Sequence, residues 1–310
     1  MADRRFTGTG SKRYVTTEDV AEIVNLAIRL GRPILVEGEA GCGKTMLASA
    51  IAEELVLGEA IAMTVKSTSQ AKDLLYRFDA LRRLQEIQGA NAERARFIYP
   101  YITLQPLGQA IFGGKPCVVL IDEIDKADPD FPNDLLEVLS GDFAFDIDDL
   151  PADEAERALK ENGFGRRVKL PRSGTPPVVV ITSNREKQLP EPFLRRCLYL
   201  DLTFPTDPTV LARVVALNLG ASVGVISNEL VGAAIERFLA VRGRAEGLHK
   251  PPATSELVDW VKVLHWQGKT AEEVGKSGDR PPYWRLLFKT MQDLDAYSKR
   301  TGPMADDRTR

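Results

Sequence analysis

Apolar and polar positions alternate in two different ways along this chain. Up to about residue 204, short apolar or β-branched runs recur between longer stretches with helical spacing. Residues 33–36, 61–65, 117–121, 178–182 and 198–202 are each short and rich in Val, Ile and Leu, the pattern of strands buried on both faces. Between the strand candidates, residues 20–30 are apolar-periodic and follow Thr16-Thr17 and Glu18-Asp19, an N-cap and an acidic first turn. Residues 44–57 place Leu47, Ala50, Ile51 and Leu55 on one helical face. Strands separated by helical segments predict an α/β domain with a mainly parallel sheet. After Phe204-Pro205 the strand pattern stops. Residues 210–219, 228–241, 255–266 and 284–297 read as amphipathic helices, which predicts a small helical second domain with a hinge near Pro205 to Pro208.

Two stretches are longer than an ordinary connection. Residues 66–112 are polar and aromatic, with a charged, helix-like piece over 73–88, and residues 142–172 are strongly charged. Both are expected to be insertions with structure of their own. The predicted division is a loose, polar and basic N-terminus over 1–14, an α/β domain over 15–205, a helical domain over 206–300 and a frayed tail over 301–310. There is no internal repeat.

Composition narrows the class. Hydrophobic residues make up 44% and charged residues 27% of the 310 positions, which excludes a wholly disordered chain. No apolar run approaches the ~20 residues of a membrane-spanning helix, and the first 14 residues lack the apolar stretch of a secretory leader, so no membrane insertion is expected. Lys and Arg number 41 against 44 Asp and Glu, a net charge of −3 that gives no global reason to bind nucleic acid. Cys42, Cys117 and Cys197 lie far apart and match neither a disulfide framework nor a structural zinc site; a reducing, cytoplasmic setting is the simplest expectation. Two histidines, His249 and His265, leave little material for a histidine-rich metal site.

The strongest chemical signal is Gly38-Glu39-Ala40-Gly41-Cys42-Gly43-Lys44-Thr45, which fits G-x-x-x-x-G-K-[ST] between a strand and a helix. Glycines allow backbone torsions and close approach that a Cβ forbids, so the loop amides can form an anion nest reinforced by the positive helix end. Lys44 would reach the β- and γ-phosphates of a nucleotide, and the Thr45 hydroxyl would ligate Mg²⁺. The second signal is the apolar run ending in Asp122-Glu123. Ligands sit at the C-terminal ends of strands in open α/β sheets, so Asp122 is a candidate for holding Mg²⁺ and Glu123 for polarising the water that attacks the γ-phosphate. Acids after a strand can also simply cap the next helix. The third is the strand ending in Thr182-Ser183-Asn184: Asn184 is a candidate to hydrogen-bond the γ-phosphate or the lytic water, Thr182 and Ser183 are candidates for the same role or for stabilising the turn, and Ser and Asn are also common turn residues. The fourth is the pair Arg195-Arg196, either a solvated face or an arginine supplied to a neighbouring site to stabilise the transferring phosphoryl group, which requires an oligomer.

In this order, with a helical tail, the four elements resemble the AAA+ ATPases. The wording of GEAGCGKT, VVLIDEIDKAD and ITSNREKQLPEPFLRRC is similar to the MoxR family. The resemblance covers about residues 15–205 by motif and the remainder by pattern. It implies a P-loop NTPase fold with a parallel five-stranded sheet and a helical lid, assembled as a ring, usually a hexamer. Carried over by position, Lys44 and Thr45 are the Walker A pair, Asp122 and Glu123 the Walker B pair, and Asn184 the sensor 1 residue. Arg196 aligns with the arginine finger, and Arg195 replaces the usual aspartate beside it, which leaves two candidates for the finger. Segments 66–112 and 142–172 sit where this clade carries its helix 2 insert and pre-sensor 1 hairpin, elements that usually face the pore or a substrate. The lid departs from the pattern: where a sensor 2 arginine is usual, the segment from Lys250 to Leu257 has Thr254, so that either Lys250 substitutes from the preceding turn or the lid is coupled more weakly to the γ-phosphate.

The expected activity is Mg²⁺-dependent ATP hydrolysis that remodels or matures a client protein, with a possible von Willebrand factor A-type domain partner implied by the resemblance. The alternative is an ATP-gated assembly or scaffold module with little turnover; Glu123, Asn184 and Arg196 would be unnecessary for binding alone. A nucleic-acid motor is disfavoured by the acidic balance, and a small-molecule kinase would not need the Asn184 and Arg196 arrangement. Trp260, Trp266 and Trp284 are expected in the helical core, and Tyr76 and Phe78 either pack within the insert or touch a client.

Overall fold

Runs of Val, Ile and Leu become the inner strands here because both of their faces are covered. The computed structural model describes residues 5–9, 14, 16–39, 41–89, 92–139, 141–219, 226–245 and 247–301. Helix α1 (Glu18–Leu30) leads to β1 (Ile34–Gly38), α2 (Lys44–Glu54) and β2 (Ile61–Thr64). An excursion follows through β3 (Tyr76–Phe78), α3 (Ala80–Ile87), α4 (Ala92–Ala95), β4 (Ile102–Leu104) and α5 (Pro106–Gly113). The chain continues through β5 (Val118–Asp122), α6 (Asp130–Leu139), β6 (Ala144–Asp146), α7 (Ala155–Asn162), β7 (Arg167–Lys169), β8 (Val178–Ser183), α8 (Glu191–Leu194) and β9 (Leu198–Leu202). Helices α9 (Pro208–Asn218), α10 (Asn228–Arg244), α11 (Thr254–Trp266), α12 (Ala271–Gly275) and α13 (Met291–Arg300) make up the rest.

The principal sheet is five-stranded, in the order β2-β5-β8-β1-β9, and every adjacent pair is parallel. Its inner strands are almost continuously buried, whereas the edge strands β2 and β9 alternate toward solvent. Leu35, Val119, Ile121, Val179 and Ile181 from the sheet pack with Leu107, Ile111 and Leu135 from the helices. Because the strands are parallel, the C-terminal ends of β1, β5 and β8 lie along one edge, where an open α/β sheet binds ligands. Contacts divide the chain into two units. One contains Thr16–Gly38 and Lys44–Leu202; the other contains Thr203 onward and also Tyr14, Glu39, Gly41, Cys42 and Gly43. The second unit has its own core, in which Leu211, Phe238, Leu257, Trp260, Trp284 and Tyr297 meet. Among the described residues no helix is long and apolar enough to cross a membrane.

The predicted strands appear within a residue or two of their expected bounds, and several details differ. The charged stretch 73–88 is not one helix: a 3-10 turn covers Ala71–Leu74, β3 follows, and α3 begins only at Ala80. Tyr76–Phe78 pairs antiparallel with Ile102–Leu104, and this long-range ladder overrides the local helical spacing. Tyr76 is buried, stacks on Phe145 and donates its hydroxyl hydrogen to Asp149, so it is a packing residue. The second insertion holds the antiparallel pair β6–β7 with α7 between. Residues 284–297 divide into a 3-10 turn, Trp284–Leu287, and α13, because the Thr290 side chain caps a new helix by accepting from Asp293 N–H. Trp260 and Trp284 are buried as expected, but Trp266 is 63% exposed. Thr17 stands at the N-cap of α1 without a side-chain capping bond. Near the N-terminus, where only loose chain was expected, Phe6 is fully buried and exchanges hydrogen bonds with Asn25.

Candidate nucleotide-binding and hydrolysis site

The turn from β1 to α2 needs residues without a Cβ. Gly41 and Gly43 have φ of +81° and +96°, a region that other residues enter only at a cost. A Cβ on Gly41 would lie 2.7 Å from the Ala253 methyl, which belongs to the same unit. Gly38 ends β1, while Lys44 and Thr45 open α2. Lys44 is buried and folds back over the loop, donating from Nζ to the Gly38 carbonyl at 2.8 Å. Ala40, also expected in this loop, lies outside the described residues. Cys42, Cys117 and Cys197 form no disulfide among the described residues; burial pushes the Cys197 thiol up to about 12.

A hydrogen-bonded chain joins four of the predicted residues at the sheet edge. Thr45 Oγ1 donates to Asp122 Oδ1 at 3.2 Å, although the two are 77 positions apart. Thr182 Oγ1 donates to the same carboxylate oxygen at 2.5 Å. The Glu123 N–H in turn donates to Thr182 Oγ1 at 2.9 Å. Asn184 Nδ2 lies 3.4 Å from Glu123 Oε1. Glu123 itself has φ of +61°, a left-handed conformation uncommon for a non-glycine residue. That geometry ends β5 abruptly and starts the 3-10 turn Ile124–Lys126.

Several residues that sequence reasoning passed over hold this group. Asp125 is only 2% exposed and accepts the N–H of Asn184 at 3.0 Å and of Glu186 at 2.8 Å, fixing the segment after β8. Its second oxygen, Oδ1, has no partner among the described residues. Lys126 Nζ lies 2.6 Å from Glu123 Oε2, and this hydrogen bond pushes the ammonium above its ordinary range. Arg185 donates to Glu37 at 3.0 Å, Tyr199 at 2.9 Å and Asp201 at 2.7 Å, tying Asn184's neighbour to the ends of β1 and β9. The signal for Asp125 and Lys126 was their place directly after two acids; for Arg185 no local pattern exists, because its partners come from other strands.

The arginine candidates have other hydrogen-bond partners. Arg195 is exposed and pairs with Glu191 at 3.2 Å, and Arg196 donates to the Pro192 carbonyl at 3.3 Å. Among the described residues no hydrogen bond joins either to Asp122, Glu123 or Asn184. Their turn is fixed from α1's end by Arg32, which donates to the carbonyls of Arg195, Arg196 and Cys197. Within the second unit, the Thr254 hydroxyl donates to the Gly41 carbonyl, and Arg242, stacked over Phe204, pairs with Glu39 at 2.5 Å. The Lys250 amide is held by Asp293, as is that of His249. Burial alone would raise the Asp293 carboxyl; the Thr290 hydroxyl and these two amides outweigh it and hold the group below its ordinary value.

An amide-rich loop, a buried lysine, and hydroxyl and carboxylate oxygens at one sheet edge suit a polyphosphate with a hard cation. Solved structures of similar fold include NtrX from Brucella abortus in complex with ADP, at 15% identity and a TM-score of 0.48, matched over 88% of this chain. This chain spans about half, 54%, of that NtrX chain. A RuvB mutant of Thermotoga maritima matches at 16% identity and a TM-score of 0.45, over 87% of this chain and 76% of its own. No curated protein sequence matches. The family described as "ATPase family associated with various cellular activities (AAA)" matches residues 34–204. That match spans more than half of the chain and runs from β1 to just past β9, including the loop, the acidic pair and the Asn184 turn. The chain therefore belongs to the AAA family.

Proposed function

We propose that this protein hydrolyses ATP in a Mg²⁺-dependent reaction to drive chaperone-like remodelling or maturation of a client protein, in the manner of the MoxR family. The observation that carries the reading is the hydrogen-bonded chain from Thr45 through Asp122 and Thr182 to Glu123. The hydroxyl of Thr45 and the carboxylate of Asp122 are hard oxygen donors within reach of one another, and they would hold Mg²⁺. When bound, that ion neutralises charge on the phosphate oxygens. Residues 38–45 would cradle the phosphates, with Lys44 exchanging the Gly38 carbonyl for phosphate oxygens. Glu123 would accept a hydrogen bond from the attacking water and draw its proton density, and Asn184 would orient water or γ-phosphate. The domain reading, an α/β ATPase domain over 15–205 and a lid over 206–300, is supported by the change of contact partners between Leu202 and Thr203.

The MoxR assignment rests on the wording of the three motifs and on small antiparallel pairs within both insertions. On this reading Arg196 or Arg195 acts on a neighbouring protomer in a ring, and the insertions meet the client. A Glu123→Gln protein should bind ATP with parental affinity and lose phosphate release by about a hundredfold or more, whereas Lys44→Ala should lose nucleotide affinity as well. Phosphate release at the parental rate from Glu123→Gln would refute its role. Absence of turnover in the parent under all conditions would favour the assembly module instead. Capture of bound proteins by Glu123→Gln held in ATP would test the remodelling part of the reading.

A further inference from the structure

The acidic pair at the end of β5 has a basic neighbour that the reading above does not use. Glu123 directly precedes the 3-10 turn Ile124–Lys126, and Lys126 is the last residue of that turn. Lys126 Nζ meets Glu123 Oε2 at 2.6 Å, while Asn184 Nδ2 stands 3.4 Å from Oε1. One carboxylate thus has a donor at each oxygen, from two different segments. The turn that presents Lys126 is itself anchored: its N–H donates to the Glu123 carbonyl at 3.1 Å, and Lys187 Nζ donates to the carbonyls of Lys126 and Ala127, each at 3.0 Å. Lys187 follows Asn184 by three residues, so the same stretch after β8 supports both donors.

We propose that Lys126 is a positioning residue for hydrolysis, holding the Glu123 carboxylate in the orientation from which it polarises water. The proposal rests on the reading of Glu123 given above. A glutamate side chain has three free torsions, and leaving them unfixed costs orientation at the moment of reaction. Most exposed ion pairs contribute little to stability, and Lys126 is 41% exposed, so its removal should spare the fold. What sets this pair apart is that its acid is the candidate water-polarising group and its base sits on a turn tied down at both ends. An ammonium hydrogen bond also supplies positive charge beside two adjacent acids, Asp122 and Glu123, without competing for the Thr45 and Thr182 hydroxyls that hold Asp122.

The test measures ATP turnover, affinity for a fluorescent ATP analogue and the melting midpoint of the full chain, for Lys126→Met, Lys126→Arg, Glu123→Gln and the double variant Glu123→Gln/Lys126→Met. The expected result is a roughly tenfold lower kcat for Lys126→Met, with analogue affinity and melting midpoint kept. Lys126→Arg should recover most of the rate, and the double variant should show no further loss relative to Glu123→Gln, since coupled residues are not additive. Parental kcat in Lys126→Met beside an inactive Glu123→Gln would overturn the role of Lys126 alone and leave a surface ion pair. Parental turnover in Glu123→Gln would overturn the reading of Glu123 and the proposal with it. Should Lys126→Met melt early, Lys126→Arg decides: a rate no better than that of Lys126→Met overturns the proposal.

Discussion

At the scale of single residues, the site is organised by groups that never need to touch a nucleotide. Asp125 is the clearest case. It is buried, and its Oδ2 accepts two main-chain N–H groups, one of them from Asn184. Removing that acceptor leaves two inward-facing donors unpaired, and each such loss costs about 1–3 kcal/mol. Asp125→Ala should therefore lower the denaturant midpoint clearly and slow ATP turnover. Asp125→Asn, which keeps a carbonyl oxygen, should lose less of both. Equal midpoints and parental turnover for the two variants would show that the Asn184 segment is held by something else. Cys197 gives a quieter check. With burial pushing its thiol up to about 12, it should resist alkylation in the native protein at pH 8 and react once the chain is unfolded.

At the scale of elements, the first unit gains support from a segment that its sequence does not advertise. Phe6 is fully buried, its N–H donates to Asn25 Oδ1 at 3.0 Å, and Asn25 Nδ2 returns a bond to its carbonyl at 2.7 Å. Thr7 adds contacts to Glu54 at the end of α2. Phe6→Ala should cost about 3–5 kcal/mol, the usual loss for a buried phenyl ring, read as a lower midpoint in urea with an unchanged m-value. A midpoint equal to the parent's would mean that the N-terminal segment contributes nothing to the unit. The insertions make the opposite point. Segment 73–88 has helical spacing, yet three of its residues pair with β4, because cross-strand partners more than twenty positions away supply burial that a local helix could not.

At the scale of the whole molecule, the proposed ring reading assigns Arg195 or Arg196 to the site of a neighbouring copy. On the proposed ring reading, ATP turnover per chain should rise with protein concentration. A protein with both arginines replaced by alanine should be inactive alone and recover activity when mixed with Glu123→Gln: the first contributes an intact Glu123, the second its arginines. Failure of the mixture to exceed the sum of its parts, measured as phosphate release, would remove the trans role from both arginines.

How much of this could be read from residues alone follows from the range of the interactions. Strands β1, β5 and β8 were legible because burial on both faces forces continuous apolar runs, and the Gly38 to Thr45 loop because its glycines stand at a fixed local spacing. The identities of Lys44, Thr45, Asp122, Glu123 and Asn184 as candidates came from the same local constraint. Only the tertiary structure decided that Thr182 bridges Asp122 to Glu123, that Asp125 and Lys126 turn back on Asn184 and Glu123, and that Arg185 ties β1 to β9. Apart from the Lys126–Glu123 pair, which is local to one turn, those contacts join residues brought side by side by the strand order β2-β5-β8-β1-β9, which depends on the free energy of the whole sheet and leaves no periodic trace in any one segment.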